Sequence, residues 1–165
     1  MRVTITRKGS RSLLTCFRPD GSSAVADLGP GLPYHDLAHF VVERRFGLKD
    51  AFFGHLARGY TPAQLSDKHV ITGLGKEPYR AEILARALGS LATGACTREQ
   101  FEELVNTELT ALGMREMQIA PNLLDEVAKE FRTLVETYRT LSVGECLELT
   151  YSLDVADACG RPAQG

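Results

Sequence analysis

Apolar and polar residues alternate along the N-terminal part of the chain, which is typical of β-strands with one buried face. Val3 and Ile5 alternate with polar neighbours, and a second β-rich run covers residues 13–17. The turn sequence Pro-Asp-Gly-Ser at 19–22 separates this run from a weaker one at 24–28. The pattern therefore predicts three strands that form an antiparallel meander.

After this region the apolar residues recur every three or four positions, which is the spacing of amphipathic helices. Five helices are predicted on this basis, at residues 35–46, 50–58, 78–91, 98–109 and 124–141. The last of them carries a continuous apolar stripe, and such a face has to be covered. We expect the sheet of the same chain to cover it, whereas cover by a second copy of the chain would make the protein a homodimer.

A final alternating segment follows the last predicted helix. Leu147, Leu149 and Tyr151 face one way, and the residues between them face the other. A strand after so many helices most simply returns to the N-terminal meander. We therefore predict an α+β fold in which an antiparallel sheet of about four strands, three N-terminal and one C-terminal, packs against about five helices. One domain is expected over residues 1–157, with a flexible C-terminal tail at 158–165.

The composition excludes several classes of protein. Of 165 residues, 44% are hydrophobic and 24% are charged, which is typical of globular chains. The 19 basic and 21 acidic residues are well mixed, so no basic block indicates nucleic acid as a partner. The sequence contains no apolar run that could span a membrane and no apolar signal segment at its start. The four cysteines lie far apart, which predicts buried free thiols in a cytoplasmic protein.

The segment from His35 to His39 carries the clearest candidate chemistry. Its two histidines are four residues apart, so they lie on one face of a helix and could bind one metal ion. His35 and Asp36 lie in or near the first turn of the predicted helix, where the dipole favours anions and disfavours a protonated imidazole, and a neutral histidine is the form that binds metals. If the first two helices form a hairpin, His55 returns to the level of His39. We therefore predict His35, His39 and His55 as ligands of zinc or another divalent metal, with Asp36 and Glu43 as candidate bases.

Other interpretations of these residues stay open. His39 could be a half-buried packing residue, and Glu43 could face solvent or pair with Arg44 or Arg45. Acid–base chemistry without a metal is a further option. The alternative to a metal-dependent function is that the protein is a non-catalytic interaction or regulatory module. Such a module could be a homodimer. His69 is expected to be solvated in a loop.

The stretch from Pro33 to Tyr60 (PYHDLAHFVVERRFGLKDAFFGHLARGY) resembles a group of short bacterial proteins with an HDLxHF-type helix after an N-terminal β-meander. The resemblance implies the same layout, and the group has no established activity. The His-Asp-x-x-His sequence at 35–39 is also similar to the zinc-binding motif of the coenzyme Q biosynthesis scaffold family. In that family a glutamate follows, whereas Ala51 occupies its place here, with Asp50 beside it. One expected ligand is therefore missing.

Overall fold

A single four-stranded sheet forms one side of the protein. The computed structural model describes residues 1–153. The strands are β1 (Arg2–Lys8), β2 (Arg11–Phe17), β3 (Ser23–Pro30) and β4 (Cys146–Thr150). All neighbours are antiparallel, in the order β3-β2-β1-β4, so the C-terminal strand pairs with the first strand. The predicted α+β fold and sheet are thereby confirmed. The predicted tail at 158–165 and the end of the predicted domain at 154–157 lie outside the described residues.

Seven helices lie between β3 and β4 in the described chain. They are α1 (Tyr34–Arg45), α2 (Phe52–Ala57), α3 (Pro62–Leu65), α4 (Lys68–Gly73), α5 (Glu77–Thr93), α6 (Arg98–Ala111) and α7 (Pro121–Thr140). Five of them correspond to the predicted helices. The two short ones, α3 and α4, are begun by polar caps: Thr61 and Gln64 form a capping box, and the Asp67 side chain accepts a hydrogen bond from the backbone N–H of His69.

Helix α1 lies at the centre of the helical layer. Its residues from Leu37 to Glu43 are all buried, so the helix has neighbours on nearly every side. It packs beside α5 and α7 and is followed directly by α2. A helix that is covered all round is expected to carry apolar residues throughout. The polar residues His39 and Glu43 in this buried stretch are therefore the exception that a functional site could explain.

Helix α7 has the apolar stripe that the sequence predicts. Its buried residues recur every three or four positions, as Leu124, Val127, Phe131, Val135 and Tyr138. The helix contacts α1, α5 and β4, and the Tyr138 hydroxyl lies 2.6 Å from the Ser12 hydroxyl of β2. The stripe is thus covered within a single chain, by helices as well as by the sheet.

The described cysteines are free thiols, as predicted. Cys16 and Cys96 are buried, and Cys146 is half-buried. Burial raises the pKa of the Cys16 thiol to about 11, which makes it a poor nucleophile at neutral pH. Cys159 lies outside the described residues. Among residues 1–153, no helix has the length and apolar composition to cross a membrane.

Candidate metal centre

The two histidines of α1 lie together on its first two turns, as their spacing predicts. Their ring centroids are 4.6 Å apart. The side chain of His35 is 58% exposed, whereas that of His39 is only 11% exposed. His35 therefore lies at the surface end of the site and His39 at its inner end.

A third residue, Glu82 on α5, completes the cluster. Its Oε2 atom lies 3.2 Å from Nε2 of His35 and 3.1 Å from Nε2 of His39. One potential ligand atom from each of the three residues falls within 4.8 Å of the others. Helices α1 and α5 pack side by side, and this packing brings Glu82 to residues more than 40 positions away in the sequence. Glu82 is not among the residues predicted from the sequence.

Glu43 supports the cluster from inside. It is 1% exposed, its Oε1 accepts a hydrogen bond of 3.0 Å from Nδ1 of His39, and its Oε2 accepts one of 2.7 Å from the backbone N–H of Phe53. The second bond supplies a cap for the start of α2, where Ala51 has no capping side chain. Glu43 neither faces solvent nor pairs with Arg44 or Arg45. Both of its oxygens are engaged in these hydrogen bonds, and its role as a base stays a prediction.

The position of α2 depends on a glycine. A Cβ atom at Gly54 would lie 1.9 Å from the carbonyl oxygen of Lys49, a contact that only glycine avoids. This close approach holds the first turn of α2 against the loop that follows α1. It thereby fixes Phe53, whose N–H binds Glu43, and the adjacent His55.

The charges in the cluster are strongly coupled. Burial disfavours protonation of His39, but hydrogen bonds to Glu43 and Glu82 outweigh it and raise the pKa of His39 to about 9. Burial raises the pKa of Glu43, and the contact with His39 opposes this rise. Hydrogen bonds from His35 and His39 hold the pKa of Glu82 well below its usual range. The raised pKa of His39 favours its protonated form at neutral pH, in which Nδ1 donates to Glu43 and Nε2 donates to Glu82.

A pocket of about 350 Å³ adjoins the cluster, and Asp36 and His55 also line it. Asp36 is half-buried, and burial raises its pKa. The ring of His55 is 7% exposed and packs edge-on against Tyr60, with the centroids 5.1 Å apart. His55 thus reaches the pocket but does not belong to the group of three ligand atoms. His69 is exposed, as predicted, although it lies on α4 and not in a loop.

Comparison with known proteins identifies no relative. No protein-family model, no curated protein and no solved structure matches the chain. The geometry of the cluster therefore carries the functional argument by itself.

Proposed function

We propose that this protein binds a divalent metal ion, with zinc as the first candidate, through Nε2 of His35, Nε2 of His39 and the carboxylate of Glu82. The observation that carries the proposal is the approach of both Nε2 atoms to one oxygen of Glu82, at 3.2 and 3.1 Å. In a tetrahedral zinc site with bonds of roughly 2.0–2.1 Å, ligand atoms are about 3.3–3.4 Å apart. Both distances to Glu82 are within a few tenths of an ångström of this spacing, and the three ligand atoms all lie within 4.8 Å of one another.

Glu43 supports this proposal because histidines that bind metals usually donate their second ring N–H to a carboxylate or carbonyl. The bond from Nδ1 of His39 to Glu43 leaves Nε2 as the nitrogen that faces Glu82. Imidazole nitrogens with a carboxylate oxygen form a ligand set that suits zinc and also binds iron, copper or nickel.

A metal-dependent hydrolytic activity is the function that this arrangement supports best. Catalytic zinc sites use three protein ligands and keep one position for water, whose pKa the ion lowers. The adjoining pocket provides space for a substrate beside that position. Asp36 lies in the same pocket with a raised pKa, so of the two candidate bases it is the one that lines the pocket. A cytoplasmic location, which suits the free thiols, is part of the proposal.

Calorimetric titration of chelator-treated protein with zinc tests the metal site. We expect one ion per chain, and loss of that binding in His39→Ala and Glu82→Ala, because each change removes a ligand. His69→Ala and Glu103→Ala are matched controls, since both residues are exposed and lie outside the cluster. Circular dichroism spectra and melts establish that each variant is folded. Wild-type protein that takes up no zinc, manganese or iron would refute the proposal.

A further inference from the structure

The pocket beside the cluster is mainly apolar. Helices α1 and α2, the short helices α3 and α4, and the start of α5 enclose it. Its apolar side chains are Phe52, Leu65, Ile71, Leu74, Pro78 and Tyr79. The candidate metal ligands form one wall, so a ligand that reaches the metal has to place the rest of its structure against these side chains.

The size of the pocket limits the occupant. Its volume of about 350 Å³ lies at the low end of the range of roughly 300–1,000 Å³ that is typical of small-molecule sites. A cavity of about 150 Å³ holds a benzene molecule. The pocket therefore suits one ring, or a short acyl chain, with a head group of a few atoms.

The charges around the pocket limit the occupant further. No lysine or arginine lines it, and its acidic residues are Asp36 and Glu82. One anionic head group could bind the metal ion, but a second carboxylate or a phosphate would find no lysine or arginine to pair with and would lie near Asp36 and Glu82. The ligand should therefore carry no anionic group apart from its head group.

His55 indicates that the ligand also has a hydrogen-bonding group. This residue is more than nine-tenths buried and lines the pocket, yet neither of its ring nitrogens has a hydrogen-bond partner among the described residues. Buried polar groups in proteins nearly always have a partner. A carbonyl or hydroxyl group on a bound molecule would provide one.

We propose that this pocket binds a small, mainly apolar molecule that coordinates the metal through one head group and forms a hydrogen bond with His55. The inference rests on the proposed metal site, because that site receives the head group. It narrows the substrates of the proposed hydrolytic activity to small acyl or aryl compounds without a second negative charge.

Hydroxamates test the ligand class, because they share one metal-binding head group. Calorimetry on the zinc-loaded protein compares acetohydroxamate, benzohydroxamate and 4-carboxybenzohydroxamate. We expect the phenyl ring to increase affinity at least about tenfold over the methyl group through burial of apolar surface. The added carboxylate should abolish that gain.

Variants locate the binding of the phenyl ring. Ile71→Asp should abolish the gain, so that benzohydroxamate and acetohydroxamate bind this variant with equal affinity. Leu112→Asp is the matched control, since Leu112 is 55% exposed and does not line the pocket. The hydrogen bond with His55 is tested with the three benzohydroxamates that carry one hydroxyl group on the ring. At least one of them should bind the wild-type protein more tightly than benzohydroxamate does, and this difference should disappear in His55→Phe.

The outcomes separate the two proposals. Protein that binds zinc but shows equal affinity for the acetyl and benzoyl compounds would overturn the ligand class and leave the metal site intact. If no hydroxylated compound gains affinity, the hydrogen bond with His55 is refuted. Protein that binds no metal would overturn both proposals together.

Discussion

Replacement of Glu43 by glutamine separates the stability of the fold from the affinity for metal. The carboxylate accepts two hydrogen bonds, from Nδ1 of His39 and from the backbone N–H of Phe53. Glutamine has nearly the same shape but only one oxygen that can accept. If this oxygen keeps the bond with Phe53, the amide NH₂ faces His39 and requires Nδ1 to be an acceptor. The proton of a neutral His39 then lies on Nε2, which blocks the nitrogen that would bind the metal.

The two effects have different sizes. Loss of a carboxylate that supports a ligand histidine typically costs about 10–100-fold in metal affinity, or roughly 1.4–2.8 kcal/mol. The Glu43→Gln change should reduce the free energy of unfolding by less than this, because the side chain still fills its buried position and caps α2. Glu43→Ala should reduce both the zinc affinity and the stability of the fold. It also leaves the buried N–H of Phe53 without a partner, which costs about 1–3 kcal/mol.

Competition with a chromophoric zinc chelator measures the affinity, and thermal melts of the metal-free protein measure stability. We expect Glu43→Gln to bind zinc at least about tenfold more weakly than wild type, with only a small change in melting temperature. Glu103→Gln on the surface of α6 provides the control. A Glu43→Gln variant with wild-type zinc affinity and a wild-type melt would show that Glu43 does not orient His39.

Two further predictions concern pH and the core. Hydrogen bonds to Glu43 and Glu82 outweigh burial and raise the pKa of His39 to about 9. Because zinc can bind His39 only after the Nε2 proton has left, the zinc affinity should rise about tenfold per pH unit up to about pH 9. The metal-free fold should show the opposite trend: this stabilisation is complete below the unfolded pKa of about 6.5 and is lost as pH rises through about 9. Titrations and melts across pH check both trends, and a zinc affinity that is constant with pH would contradict the first. Phe131→Ala, at a residue that is 3% exposed, should cost about 3–5 kcal/mol in chemical denaturation. If light scattering instead showed a wild-type dimer become a monomer without loss of stability, the stripe on α7 would be an interface.

The fold was largely predictable because its signals are local. The alternation of Val3 and Ile5 and the helical spacing at 124–141 each reflect burial of one face, which the sequence records directly. The short helices α3 and α4 lack such a periodic pattern of apolar residues. Each has fewer than two full turns, so a polar cap is the only local signal, and neither is among the five helices predicted.

The candidate site was only partly predictable because it depends on contacts between distant elements. The pair His35 and His39 follows from spacing within one helix. Glu82 joins them only because α5 packs against α1, and no local pattern marks that contact. Its sequence signal is weak: an acidic residue between the buried Ala81 and Ile83. The burial of Glu43 was not predictable, because the neighbours that bury it, α2 and the loop after α1, come later in the chain.

The buried pair of His39 and Glu43 is difficult to explain by stability alone. Replacement of a buried ion pair by apolar residues of similar volume is often neutral or stabilising, since desolvation offsets the attraction between the charges. The neighbouring residues Phe40 and Val41 on α1 are already apolar, so a leucine at position 39 would continue the local pattern. Capping of α2 explains the position of one oxygen of Glu43. It does not explain why the imidazole of His39 connects this buried carboxylate to Glu82 at the edge of the pocket. Support of a metal ligand would require both features, a fixed Nδ1–H and a presented Nε2, so the proposed metal site would account for a polar pair in the buried stretch of α1.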